Sequence, residues 1–406
     1  MNSYKEVTEY LFSQFPQYQN IGKKAYKADL TNIQKLVALL DYPEKKLNCI
    51  HVAGTNGKGS VSHLMASILQ EAGYKVGIFT SPHLVDFKER IKINGETIDE
   101  TFIVNFVIKN KETFEKIGIS FFEWTTALAF SYFENQKTEV CIIETGLGGR
   151  LDSTNIINPI LSVITTVGLD HQNILGDTIE EIAFEKGGII KENTPVVVGP
   201  QIKDSLSVLS EIAENKNARI TKAEVIKRQC ELLGNYQQNN IGTALCGIEK
   251  LVTYNVNASQ IEKGLQNVVT NTGIRGRWEI LMQQPMVVAE IGHNQQAFEA
   301  ISEQLKSTSF KKGIAVLSFS NDKDLSKITP KLPKTLTYYL TESSSDRAMK
   351  SRELEQHFKD FTTTCFTDYK EAYLNALKHS NEEDLIFIGG SAFLVGDILN
   401  DFFSDT

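Results

Sequence analysis

The chain has 406 residues, too many for one ordinary core, so two α/β domains are expected. Its 41% hydrophobic and 23% charged residues suit a soluble globular enzyme, and a formal net charge of -8 argues against the nucleic-acid backbone as a partner. Cys49, Cys141, Cys230, Cys246 and Cys365 are scattered without C-x-x-C spacing, and no run has signal or membrane-spanning length. Free thiols in a reducing cytoplasm, without a membrane partner, are therefore expected.

A helix is predicted near Tyr4–Phe12 and another through Ile33, Leu36, Val37 and Leu40, with Gly22–Asp29 as a solvated connection between them. Residues 47–69, LNCIHVAGTNGKGSVSHLMASIL, then read as strand, glycine turn and helix. That geometry suits phosphate. Glycines let several N–H groups face one anion, and the helix N-terminus adds partial positive charge. Within Gly54-Thr55-Asn56-Gly57-Lys58-Gly59-Ser60, Lys58 supplies a full charge and Ser60 a hydroxyl suited to Mg²⁺. Gly59 separates Lys58 from Ser60, unlike the general pattern, and a turn that serves packing alone is the alternative.

Tyr74–Thr80 reads as a second strand ending at Ser81, which is either a metal-reaching hydroxyl or part of a turn. The stretch LVDFKERIKINGETID reads as a charged loop, and Phe102–Ile117 as a helix. Phe121–Gln136 is an apolar helix whose Phe121, Phe122 and Trp124 suit a core. Thr138–Glu144 is a third strand that places Glu144 at the ligand edge of the sheet, followed by the glycine-rich GLGGRLDSTN, a candidate substrate loop. Ile160–Thr166 is a fourth strand, leading to His171, a ligand or an ordinary loop histidine. Ile179, Ile182 and Ala183 form a helical face ended by Gly187-Gly188, where Lys186 taken alone complements the helix dipole. Val196–Gly199 is a fifth strand. Leu232–Lys250 joins an amide-rich segment to a helix, and its Asn240 offers donor and acceptor to adenine.

The periodicity breaks at TNTGIRGRW, which places the domain boundary between residues 272 and 273. Beyond it, strand-like Pro285–Ile291, Gly313–Phe319, Thr335–Thr341 and Asp384–Ile388 alternate with helical stretches. A second, smaller doubly wound domain is expected, with Glu290-Ile291-Gly292-His293-Asn294 and Asn321-Asp322-Lys323-Asp324 after its strands.

Taken in order, VAGTNGKGS, SPHL…ER, FFEWTT, ETGLGGRLDSTN, LDH…LG, EKGGI, GNYQ…N, GRWE, GHN and NDKD resemble the folylpolyglutamate synthase/dihydrofolate synthase family of ATP-dependent Mur-type amide ligases. The resemblance implies an α/β architecture. Residues 1–272 would form a P-loop Mur-type ATPase domain with a mostly parallel sheet and a pterin pocket, and residues 273–406 a Rossmann-like glutamate-ligase domain. It implies glutamate ligation to 7,8-dihydropteroate and to reduced folates through an acyl phosphate. ATP and two Mg²⁺ sites are the implied cofactors, and a monomer acting on small molecules is expected.

By the same resemblance, Gly54, Thr55, Asn56, Gly57, Lys58, Gly59 and Ser60 hold the ATP phosphates, Asn240 contacts adenine, Arg277 the phosphates and Glu290 the ribose side. Ser60, Ser81, Glu144, His171 and a carbamylated Lys186 are the implied metal ligands, with Ser81 and Glu144 on one ion and Glu144 and His171 on the other. Lys58, Glu144, His171, Lys186 and Arg277 are the implied catalytic set. Ser120, Phe121, Phe122, Glu123, Leu151, Asp152 and Ser153 match the pterin pocket, with Ala28 in its lid. The family has Asp where this chain has Glu290, and Ala where it has Gly187. A monofunctional synthase and a catalytically silent nucleotide-binding module are the competing readings.

Overall fold

The computed structural model describes residues 3–15 and 29–404, so the expected lid around Ala28 lies outside the described residues. The chain divides into two compact units: Met1–Glu231 with Gln237–Ile274, and Leu232–Tyr236 with Arg275–Thr406. The division thus falls two residues after the boundary read from the sequence, and it moves residues 232–236 into the second unit. Those residues are tied there by main-chain and side-chain bonds, among them Asn235 N–H to Gln304 Oε1 at 2.8 Å.

In the first unit an eight-stranded sheet forms from β1 (Cys49–Ala53), β2 (Val76–Phe79), β3 (Ile91–Ile93), β4 (Glu96–Thr97), β5 (Val140–Glu144), β6 (Leu161–Ile164), β7 (Val196–Val198) and β8 (Ile220–Lys222). Its order is β4-β3-β2-β5-β1-β6-β7-β8. Strands β1, β2, β5, β6 and β7 are buried along their whole length, which is why they read as continuous apolar runs. The parallel pairing of β1 with β5 and β6 puts Val52 level with Glu144 and with Val163. The chain leaves β1 toward β2 on one side and later returns to β6 on the other. The crevice at the C-terminal end of β1 is therefore a topological switch point, where such sheets bind ligands. One face is filled by a cluster that includes Cys49, Phe79, Ile143, Trp124, Phe130 and Phe133. Among the described residues no helix is long and apolar enough to cross a membrane, and all five cysteines are free.

The charged loop expected over residues 84–99 is instead a turn and a hairpin. β3 pairs antiparallel with β2 and with β4, around Asn94 (φ 47°) and Gly95 (φ 83°). Left-handed backbone at both positions is what a tight hairpin turn needs, and Asn-Gly supplies it at little cost.

The second unit carries β9 (Glu279–Gln283), β10 (Met286–Glu290), β11 (Gly313–Leu317), β12 (Thr337–Leu340), β13 (Thr362–Cys365) and β14 (Leu385–Gly389). Its sheet order is β13-β12-β11-β14-β10-β9, parallel except for β9 on β10. Its core gathers Trp278, Phe298, Phe319, Tyr338, Phe358 and Phe387.

Candidate active site

β1 ends at Ala53, and the helix Lys58–Glu71 starts four residues after Gly54 with Gly57 as its N-cap. Two close approaches explain the glycines. A Cβ on Gly54 would stand 1.9 Å from Thr165 Oγ1, and one on Gly57 (φ +88°) 2.3 Å from Asn240 Oδ1. The turn is bound to the segment after β6. Thr55 N–H donates to Thr166 O at 2.6 Å, and the Thr55 hydroxyl donates to Gly168 O at 3.1 Å while accepting from Gly168 N–H at 3.0 Å. Asn56 O accepts from the Thr165 and Thr166 hydroxyls at 2.6 and 3.1 Å. The loop is thus fixed by its own chain before any ligand arrives.

Two lysines converge on it. Lys58 Nζ donates to Gly54 O at 3.1 Å, and Lys186 Nζ to the same oxygen at 2.9 Å. Lys186 lies at the end of the helix Ile179–Gly187, but its amine goes to the glycine turn, not to the carbonyls of its own helix. Burial, reinforced by the nearby Lys58 charge, lowers the Lys186 pKa to about 7. Near neutral pH much of this amine is therefore uncharged.

Glu144 is buried at the end of β5, and its Oε2 accepts the Ser81 N–H at 3.2 Å, which joins the ends of two adjacent segments of the sheet edge. Ser60 is buried in the first turn of the phosphate-loop helix. His171 follows β6 with φ 51°, and its N–H donates to Asp170 Oδ1 at 2.9 Å. A carboxylate such as that of Glu144, beside Ser81 at the sheet edge, suits Mg²⁺ chemically, whereas an unmodified Lys186 amine does not. Asn240 is buried beside the turn, and its amide donates to Gln237 Oε1 at 2.7 Å.

The side chains matched to a pterin pocket also hold the fold. Ser120 Oγ accepts from Glu123 N–H at 3.2 Å, and Glu123 Oε2 accepts from Ser120 N–H at 2.6 Å, a reciprocal cap on the helix Phe121–Asn135. Phe121 packs with Phe12 and Phe87, its ring centroid 5.6 and 5.8 Å from theirs, and the Arg90 guanidinium stands 5.3 Å from that centroid. Phe122 fills the space above Gly146. Asp152 is buried, and its carboxylate accepts from Leu147 N–H at 2.8 Å and Thr154 N–H at 3.0 Å, which folds the glycine-rich loop back on itself. Burial raises its pKa and these donors oppose the rise.

In the second unit Glu290 ends β10. One of its oxygens takes the Tyr236 hydroxyl and, at 2.9 Å, the Trp278 N–H, while the other takes the Gly292 N–H at 2.9 Å. Its carboxylate is engaged within its own unit, a role the sequence did not disclose. Arg277 Nη1 donates to Gly276 O at 3.3 Å, and Asp322 pairs with Arg347 at 2.7 Å.

The sequence motifs carried His83, Glu89 and Arg90 without a role, and the structure shows how they shape the first unit's edge. Arg90 is buried, with Nε donating to His83 Nδ1 at 2.7 Å, and burial lowers its pKa to about 10. Glu89 accepts the N–H groups of Leu84, Val85 and Asp86 at 2.7, 2.9 and 2.8 Å, the Asp86 bond being part of a capping box. The capping-box spacing Asp86…Glu89 was a usable signal.

A phosphate turn at the switch point of a mostly parallel sheet, floored by two lysines and flanked by a strand-end carboxylate, defines a nucleotide-dependent phosphoryl-transfer enzyme of the P-loop class. The Mur ligase middle domain family matches residues 52–262, and the Mur ligase glutamate ligase domain family matches residues 276–392. The chain belongs to the dihydrofolate synthase/folylpolyglutamate synthase family of Mur-type ligases. It is 34% identical over 413 residues to the dihydrofolate synthase/folylpolyglutamate synthase of Bacillus subtilis (strain 168), covering 93% of this chain and 95% of that one. Its fold is similar to that of E. coli FolC in complex with DHPP and ADP, with a TM-score of 0.87, 26% identity, and 98% and 97% of the two chains covered. It is also similar to a bifunctional folylpolyglutamate synthase/dihydrofolate synthase with Mn, AMPPNP and L-glutamate bound, with a TM-score of 0.86, 25% identity and coverage of 98% and 97%.

Proposed function

We propose that this chain joins the amino group of L-glutamate to the carboxylate of 7,8-dihydropteroate, and then to the glutamate tail of reduced folates, at the expense of ATP. The observation that carries the reading is the pair of lysine amines meeting on the Gly54 carbonyl within a phosphate turn already fixed to its sheet. The near full-length likeness to the B. subtilis enzyme supports it.

The chemistry follows from the reactants. A carboxylate is a poor electrophile, so one of its oxygens first attacks the γ-phosphorus of ATP and the bond to ADP breaks. The glutamate nitrogen then attacks the acyl carbon, phosphate leaves with the shared oxygen, and the nitrogen loses a proton. Two anions must meet in the first step, so cationic groups have to crowd the phosphates. Lys58 and the N–H groups of Asn56–Ser60 are assigned that task, with Arg277 on the phosphates, Asn240 on adenine and Glu290 on the ribose side. For Glu290 the three hydrogen bonds it already accepts favour a contact made through the backbone it holds.

Ser60, Ser81, Glu144 and His171 would hold Mg²⁺, in two sites, which when bound neutralises phosphate charge. Lys186 fits that group as a carbamate. Its uncharged nitrogen adds CO₂, a proton leaves, and the former cation becomes an anionic oxygen donor. Ser120–Glu123 and Leu151–Ser153 are assigned to the pteroate. We read the enzyme as a cytoplasmic monomer.

Purified protein with ATP, Mg²⁺ and glutamate, offered dihydropteroate and then tetrahydrofolate, tests the reading. ADP release that depends on each acceptor is expected. Release with only one of them reduces the enzyme to a monofunctional synthase, and release with neither removes the ligase assignment.

A further inference from the structure

β1, which delivers the phosphate turn, also carries a fully buried histidine three residues before Gly54. His51 Nε2 lies 2.8 Å from Thr154 Oγ1, and Thr154 Oγ1 lies 2.5 Å from Asp152 Oδ1. The two Asp152 oxygens already accept main-chain N–H groups, Thr154 on Oδ1 and Leu147 on Oδ2. A carboxylate used this way has only lone pairs to offer, so the Thr154 hydroxyl gives its proton to Asp152 and turns a lone pair to the imidazole. His51 must then carry its proton on Nε2.

That assignment leaves Nδ1 bare, and Nδ1 is buried without a hydrogen-bond partner among the described residues. A leucine or valine here, level with Ile143 of β5, would leave no orphaned nitrogen, so the imidazole costs stability where it stands. Burial holds the ring neutral, its pKa lowered to about 3. Nothing in the ATP-binding or metal assignments uses this ring.

We propose that His51 is a positioning residue for the acid substrate: through Thr154 and Asp152 it locks the Gly146–Ser153 loop in register with the strand that carries the phosphate turn. The acceptor carboxylate and the γ-phosphate are then presented by parts tied to one another, 103 residues apart in sequence. Only the pteroate side depends on the relay, because the phosphate turn is held separately by Thr165, Thr166 and Gly168. This proposal rests on the reading that Leu151–Ser153 line the pteroate pocket.

The test uses the full chain with four variants: His51→Leu, Thr154→Val, the double variant, and His51→Gln, whose amide nitrogen can replace Nε2–H. For His51→Leu and Thr154→Val the KM for dihydropteroate should rise about tenfold or more, with the KM for ATP within about twofold of the parent. The double variant should be no worse than either single one, the glutamine should recover most of the loss, and His51→Leu should not lower Tm at pH 7. Histidine ring ¹⁵N shifts should report a neutral Nε2–H tautomer in the parent. An unchanged dihydropteroate KM, additive losses, or equal rises for ATP with a falling Tm overturns the proposal. An Nδ1–H tautomer in an active enzyme also overturns the relay alone, whereas a parent protein without dihydropteroate turnover overturns the pocket assignment on which it rests.

Discussion

Gly54 O accepts from two amines, and the difference between those amines organises the chemistry at the scale of single residues. Lys58 begins the helix and was legible from its motif, because every group in the turn is local in sequence. Lys186 arrives from 132 residues away, and only the folded sheet brings it to the turn. Its helix-end position pointed to the dipole, which competes locally. The tertiary contact and the pKa lowered by burial are compatible with the carbamate proposed for this nitrogen. Lys186→Ala should therefore abolish turnover while leaving ATP affinity nearly intact, with partial rescue by short carboxylates. Parent-like turnover without additive would refute the proposed carbamate. Lys58→Ala should instead weaken ATP binding itself, by about tenfold or more, as read by calorimetric titration. Unchanged affinity would mean that the turn does not grip the triphosphate.

The same scale gives a pH dependence. Unfolded His51 titrates near its ordinary value of 6.5, whereas the folded ring stays neutral down to about 3. Between these values the unfolded chain binds the extra proton, so stability falls as pH drops from 6.5 toward 3. The slope from this one ring is about 1.4 kcal/mol per pH unit. His51→Leu should lose stability less steeply than the parent between pH 6.5 and 5. Denaturant midpoints measured across that window check this, and parallel curves would contradict it.

At the scale of elements, what carried a continuous apolar run was legible and what did not was missed. β1, β5 and β6 announced themselves because both faces are buried. The edge strands β8 and β13 are short, polar and half exposed, so no hydrophobic run marks them. The hairpin β3–β4 was missed although Asn94-Gly95 between Ile91, Ile93 and Thr97 is a strong turn signal; the charged residues around it masked the alternation. The glycine turn shows how tightly an element can be specified. In Gly57→Ala the new methyl would meet Asn240 Oδ1 and hold a left-handed backbone, a strain of about 1–2 kcal/mol before any clash. This variant should lose ATP affinity at least as strongly as Lys58→Ala and also lower Tm, a combination that thermal melts with and without ATP will separate.

Across the whole molecule, the alternation of strands and helices in the sequence disclosed two α/β units. It did not disclose that residues 232–236 pack with the second, because that depends on Tyr236 reaching Glu290 and Asn235 reaching Gln304. The resemblance of the ordered motifs to a ligase family was legible for a different reason. Phosphate turns, strand-end carboxylates and the EKGG lysine are short sequences under chemical constraint, while His51 looks like an ordinary strand residue until folded, and the motifs that contain Thr154 and Arg90 do not say what those side chains touch.

Ligation by this enzyme requires that the acceptor carboxylate become an acyl phosphate. Dihydropteroate carrying ¹⁸O in both carboxylate oxygens, turned over with ATP and glutamate, tests it through the mass of the released phosphate. One ¹⁸O atom is expected in each phosphate formed and one retained in the amide. Amide formation with phosphate free of the label would contradict it.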